Sequence, residues 1–86
     1  MTQARPRIVV AEDEAVIRMD LVETLLDEGY EVVAQVADGL TAVERIRELL
    51  PDVALVDIAM PGLDGIEVTR RVSEHTAVVV VTAFGV

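Results

Sequence analysis

The sequence predicts an α/β fold, a doubly wound parallel sheet of four strands with three helices. Three observations carry that expectation. Short apolar runs alternate with segments of helical period along the whole chain, and such alternation gives crossover connections and a parallel sheet. The stretch Val53–Gly65, VALVDIAMPGLDG, reads as strand, acid, shaped loop and helix start in one passage. The composition is 52% apolar with only Tyr30 and Phe84 as aromatics, and an aliphatic core of this kind suits a sheet under helices.

Arg7–Ala11 (RIVVA) is the first strand, with Glu12-Asp13-Glu14 at its carboxyl end. A helix follows over about Ala15–Glu28, where Ile17, Leu21 and Leu25 recur every four residues and Val22 and Leu26 widen the stripe. Gly29 stands where a helix stops. Glu31–Ala37 (EVVAQVA) is a second strand whose mixed polarity suits a sheet edge. Asp38-Gly39 makes a turn, and Thr41 with Glu44 three residues on has the pattern of a capping box for the second helix. That helix is marked by Ala42, Val43, Ile46, Leu49 and Leu50 and ends before Pro51. Val53–Val56 is the third strand, with Asp57 directly after it. Asp64-Gly65-Ile66-Glu67 has the form of another capping box and opens a third helix over roughly Asp64–Glu74. Ala77–Thr82 (AVVVVT) is the fourth strand, and its unbroken valines predict burial on both faces. If the first strand lies between the second and third, the order is 2-1-3-4 and reverses between the first and third strands. Ligands of such sheets bind beyond the carboxyl ends of the strands at that reversal.

Eighty-six residues make one small domain. A chain of this length buries only about 60–65% of its unfolded surface, so its stability margin is thin. With no cysteine there is no disulfide framework, which fits the cytoplasm. No apolar run is long enough to span a membrane, and MTQARPR does not begin a signal peptide. A formal charge of −9 argues against direct nucleic-acid binding by this segment. All seven cationic side chains are Arg. His75 in a polar helix end, Met19, and the pair Arg70-Arg71 read as ordinary surface or packing residues.

Glu12, Asp13 and Asp57 fall on one rim, and Thr82 ends the fourth strand on the same side. Two carboxylates about 4 Å apart repel by on the order of 4 kcal/mol at an effective dielectric near 20. A divalent cation removes that cost, and hard oxygen ligands suit magnesium. One reading is therefore a magnesium site with a nucleophilic carboxylate, able to accept a phosphoryl group. The other is a solvated acidic rim, since acids are common at strand ends.

The chain resembles the receiver domain of two-component response regulators. The resemblance rests on Glu12-Asp13 after an apolar strand, Asp38-Gly39 with Ala42 behind it, Asp57 with MPGLDG behind it, and Thr82-Ala83 after the valine strand. AEDEAVIRMDL and VVVVTAF are most similar to receivers joined to a small RNA-binding antitermination module. The resemblance implies a flavodoxin-like fold and a place in a phosphorelay. It implies that Asp57 takes the phosphoryl group from a sensor histidine kinase. Magnesium would be held by Asp13 and Asp57 directly, by Glu12 through water and by the backbone carbonyl of Ala59. Thr82 would bring its hydroxyl to the phosphoryl oxygens, Ala83 would leave room for entry, and Pro61 and Gly65 would hold the loop that presents Asp57.

The same resemblance implies a fifth strand carrying a Lys, and this sequence stops after the fourth strand and contains no Lys. The expectation is accordingly a partial receiver domain over residues 1–86, with no output domain in them. Two alternatives stand beside the phosphoacceptor reading. One is a signalling-incompetent fragment that self-associates through the fourth strand. The other is a magnesium-dependent phosphohydrolase, but such enzymes carry an acid two residues after the nucleophilic Asp, and that position here is Ala59. No separate substrate turnover is expected.

Overall fold

The computed structural model describes residues 5–81. The strands are β1 (Arg7–Ala11), β2 (Glu31–Val36), β3 (Val53–Asp57) and β4 (Ala77–Val81), and the helices are α1 (Ala15–Asp27), α2 (Gly39–Leu49) and α3 (Gly65–Val72). The sheet is parallel with order β2-β1-β3-β4, as expected. Its order reverses between β1 and β3, which places the carboxyl ends of those two strands side by side.

The predicted apolar runs form the strands because alternate residues feed both faces of the sheet. Val9 and Ala11 of β1, Ala54 and Val56 of β3 and Val36 of β2 meet Ala42, Val43 and Ile46 of α2 and Val68 and Val72 of α3 in one buried cluster. Ile8 and Val10 of β1 are also buried but lie outside that cluster. α1 packs on β1 and β2, and Ile17, Leu21, Val22 and Leu25 are only half-buried there.

Helix ends follow local chemistry. α1 stops in a Schellman turn: Gly29 has φ +92° and donates to the Leu26 carbonyl, and Tyr30 donates to the Leu25 carbonyl. α2 ends at Leu50, a non-glycine residue at φ 46°, ψ 61°, immediately before buried Pro51. Arg7 ties this corner to β1: its backbone N–H donates to Asp52 Oδ2 (2.7 Å) and its Nη1 to the Leu49 carbonyl (2.9 Å). The Leu49 carbonyl is among those a helix leaves unpaired at its C-terminus.

Four expectations are corrected. The N-cap of α2 is Asp38, whose Oδ1 accepts from Thr41 N–H (2.8 Å) and whose Oδ2 accepts from the Thr41 hydroxyl (2.9 Å), so the Thr41–Glu44 box does not form. The helix starts earlier because an acid beside a glycine caps better than a Thr already inside the first turn. α3 is capped by Asp64, but Glu67 turns outward to Arg71 (3.1 Å) and Arg70 (3.4 Å) and does not reach back, and the helix ends at Val72. β3 includes Asp57, held in the ladder opposite Val81. The valines of β4 are not buried on both faces: Val79 is 47% exposed and Val78, Val80 and Val81 are half-buried. Among the described residues β4 pairs with β3 alone, and α3 is the helix that packs on it, so its α1-side face has no covering helix.

Candidate functional site

Three carboxylates meet at the reversal point of the sheet. Glu12 directly follows β1 and Asp57 ends β3, so the parallel pairing of the two strands brings their ends together. Asp13 is one residue further along the β1–α1 loop. Each of Glu12, Asp13 and Asp57 offers an oxygen within 4.8 Å of the others. Glu12 is fully buried and Asp57 is 5% exposed, whereas Asp13 faces water.

Glu12 is held from several sides. Its N–H extends the ladder to the Val36 carbonyl (3.0 Å), and its Oε2 accepts from Glu14 N–H (2.9 Å). Among the described residues its Oε1 is buried without a hydrogen-bond partner. Burial pushes the Glu12 carboxyl up from its ordinary value, against the lowering by the Glu14 N–H, and the negative charges of Asp57 and Asp13 add to the rise. An unpartnered buried carboxylate oxygen is costly, and here it sits beside two further acids with only oxygen donors. That donor set fits a hard divalent cation such as magnesium.

The loop after Asp57 is shaped by two close approaches. At Gly65, a Cβ would lie 2.5 Å from the Asp57 carbonyl oxygen, and the Gly65 N–H donates to the Ile58 carbonyl (3.0 Å). α3 therefore starts directly against the strand end. The Gly39 N–H donates to the Pro61 carbonyl (3.2 Å), and a Cβ on Gly39 would collide with the Leu63 backbone. Gly62 takes φ +82° between them. The start of α2 thus supports the same loop that α3 closes.

The structure brings Glu12, Asp13 and Asp57 together and places exposed Ala59 two residues beyond Asp57. Pro61 and Gly65 lie in the loop and at the helix start where the sequence placed them. Thr82 and Ala83 lie outside the described residues. Sequence reasoning missed two contributors. Gly39 was read as part of a turn, and its contact with Leu63 is non-local. Arg18 was not singled out at all, yet its Nη1 donates to the Glu12 carbonyl at 2.7 Å. The one local signal was its place as a cation at the start of a helix, where the dipole disfavours positive charge. Two surface clefts lie away from the acids: one of about 660 Å³ along Thr41, Glu44 and Arg45, and one of about 350 Å³ lined by Ile46, Leu50, Val72 and His75.

Comparison with known proteins agrees with this arrangement. The profile of the response regulator receiver domain matches residues 8–86. Transcriptional regulatory protein PdtaR of Mycobacterium tuberculosis is 45% identical over 80 residues, a match covering 91% of this chain and 39% of PdtaR. Chemotaxis protein CheY of Thermotoga maritima is 34% identical over 82 residues, covering 92% of this chain and 68% of that protein. A signal receiver domain solved from Mycobacterium tuberculosis superimposes with a TM-score of 0.90 at 36% identity, covering 98% of this chain and 71% of that one. The chain spans about two-fifths of the length of PdtaR. The fold, the acidic reversal point and these matches place the chain in the response regulator receiver domain family of two-component systems.

Proposed function

We propose that Asp57 is the phosphoacceptor of this receiver, with Asp13, Asp57 and the Ala59 carbonyl as the magnesium ligands and Glu12 acting through water. One observation supports this most directly: the Glu12 Oε1 atom, fully buried and without a partner among the described residues, beside the Asp13 and Asp57 carboxylates at the reversal point of the sheet. Magnesium would neutralise the three carboxylates and the incoming phosphoryl oxygens.

In the proposed step an Asp57 carboxylate oxygen attacks the phosphorus of a phosphohistidine on a sensor kinase. The O–P bond forms as the N–P bond breaks, and the histidine nitrogen leaves with the electron pair and takes up a proton. β3 fixes the attacking oxygen at the strand end, and Gly65 sets how closely α3 approaches it. Thr82 supplies a hydroxyl to the phosphoryl oxygens and Ala83 leaves the entry open. Ala59 has no acid group to act as a general acid or base, so the acyl phosphate is a signalling state and not a turnover intermediate. We read residues 1–86 as receiver sequence without an output domain in them. Their cysteine-free composition and the absence of any membrane-length apolar helix among the described residues accord with a cytoplasmic setting.

Intact-mass measurement after incubation with acetyl phosphate and magnesium tests this. One added phosphoryl group that is lost with Asp57→Asn is expected. Addition that survives Asp57→Asn overturns the assignment. Asp13→Asn should raise stability without metal and remove the stabilisation by magnesium, which at a hundred times its Kd is worth about 2.7 kcal/mol. Self-association through β4 is a separate proposal, supported by the exposure of Val79 and by β4 being outermost among the described strands. A monomer by light scattering at tens of micromolar protein, unchanged by Val79→Lys, overturns it.

A further inference from the structure

We infer that Arg18 is a positioning residue for the metal ligand Asp13, acting as a clamp on the β1–α1 loop; this rests on the phosphoacceptor reading above. Asp13 is exposed, and no hydrogen bond to its side chain from a backbone N–H or a cationic residue holds it among the described residues. Its main chain, however, is held on its N-terminal side. The carbonyl before it, on Glu12, accepts from Arg18 Nη1 at 2.7 Å. The Glu14 carbonyl accepts from the Arg18 backbone N–H at 2.8 Å as the ordinary first i→i−4 bond of α1. The Arg18 side chain therefore fixes the carbonyl that directly precedes Asp13, and the Glu14 N–H closes the loop onto Glu12 Oε2.

The geometry follows from the helix. A side chain in the first turns of a helix leans toward the N-terminus, so a long one at position 18 reaches back over the loop. The same placement is unfavourable for the helix itself, because a cation at the N-terminus opposes the dipole and α1 has no side-chain cap to offset it. A residue that breaks a local rule this way is expected where a site needs it. The guanidinium reaches the Glu12 main chain without pairing to an acid: no carboxylate is within 4 Å of it among the described residues. Arg18 thus orders the loop without occupying a carboxylate oxygen of the site. The role does not reduce to its charge, since a positive charge acting through space would repel magnesium.

Magnesium titration by calorimetry on the wild type, Arg18→Gln and Arg18→Lys tests the clamp, with folding checked by circular dichroism. Removing a group that orients a metal ligand typically weakens binding by about 10–100-fold. Arg18→Gln should weaken magnesium binding by about tenfold at unchanged stoichiometry, and Arg18→Lys, with a compact ammonium in place of a planar fork, should recover part of the loss. Affinity unchanged or tighter in Arg18→Gln overturns the clamp and leaves the phosphoacceptor reading intact. Absence of magnesium binding by the wild type overturns both. If Arg18→Gln does not fold, Arg18→Lys decides: weaker binding than the wild type supports the clamp, and equal or tighter binding overturns it. A purely structural role would lower the metal-free melting temperature and leave the affinity unmoved.

Discussion

The two faces of the sheet carry the same kind of residue and reach different ends. On the face covered by α2 and α3, the row Val9–Ala54–Val78 runs from β1 across β3 to β4, and its first two members are fully buried. On the other face, the parallel row Val10–Leu55–Val79 starts at 0% exposure and rises through half-buried Leu55 to 47% at Val79. α2 and α3 together contribute seven fully or nearly fully buried residues, and α1 contributes none. Burial is thus set by what lies over a strand and not by how apolar the strand is. The stability of the described domain rests mostly on the α2–α3 face, while α1 packs on β1 and β2 through half-buried residues.

The largest test of that asymmetry compares a residue from each face. Ile46→Ala on α2 removes a side chain that is 1% exposed and should cost about 2–5 kcal/mol. Ile17→Ala on half-buried α1 should cost distinctly less, on the order of 1 kcal/mol. Urea unfolding of both variants measures the difference, and equal losses would show that α1 is as tightly packed as α2. A smaller effect sharpens the same contrast from the other end of α2. Leu50 is exposed and left-handed, so Leu50→Gly should stabilise the domain by up to about 1 kcal/mol, read as a raised urea midpoint. The smallest effect is a pH dependence. The Thr41 N–H, followed by its hydroxyl, holds the Asp38 carboxyl below its ordinary value of 3.8. The folded carboxyl is therefore the stronger acid. Its contribution to α2 is complete above the unfolded value and is lost as pH falls through the folded one. Acid titration of stability should show the wild type and Asp38→Asn converging as the pH falls below that range. A gap that stays constant would mean that Asp38 is not the titrating cap.

Much of this was legible in the sequence because the signals were local. Strands β1 and β3 announce themselves as apolar runs ending in acids, Gly29 marks its helix stop, and the strand order puts Glu12, Asp13 and Asp57 on one rim. What was misread depended on competition or on distance. Thr41 and Glu44 match a capping pattern, yet Asp38 three residues earlier caps first and turns Thr41 into its donor. The valines of β4 have the composition of a strand buried on both faces, but composition does not reveal which helices cover it. Arg7 closing the α2 corner, Arg18 on the Glu12 carbonyl and Gly39 against Leu63 join positions that periodicity treats as unrelated.

The contact between Gly39 and Leu63 has a kinetic consequence. The first turn of α2 and the loop beyond Asp57 share a hydrogen bond and have no space between them, so neither can open alone. Local opening then occurs in a cooperative unit, and the Gly39 amide, which donates to the Pro61 carbonyl, should exchange with solvent only when the loop beyond Asp57 opens with the first turn of α2. The lifetime of the closed loop around Asp57 is in this sense written into the end of a helix that contributes no acid to the site.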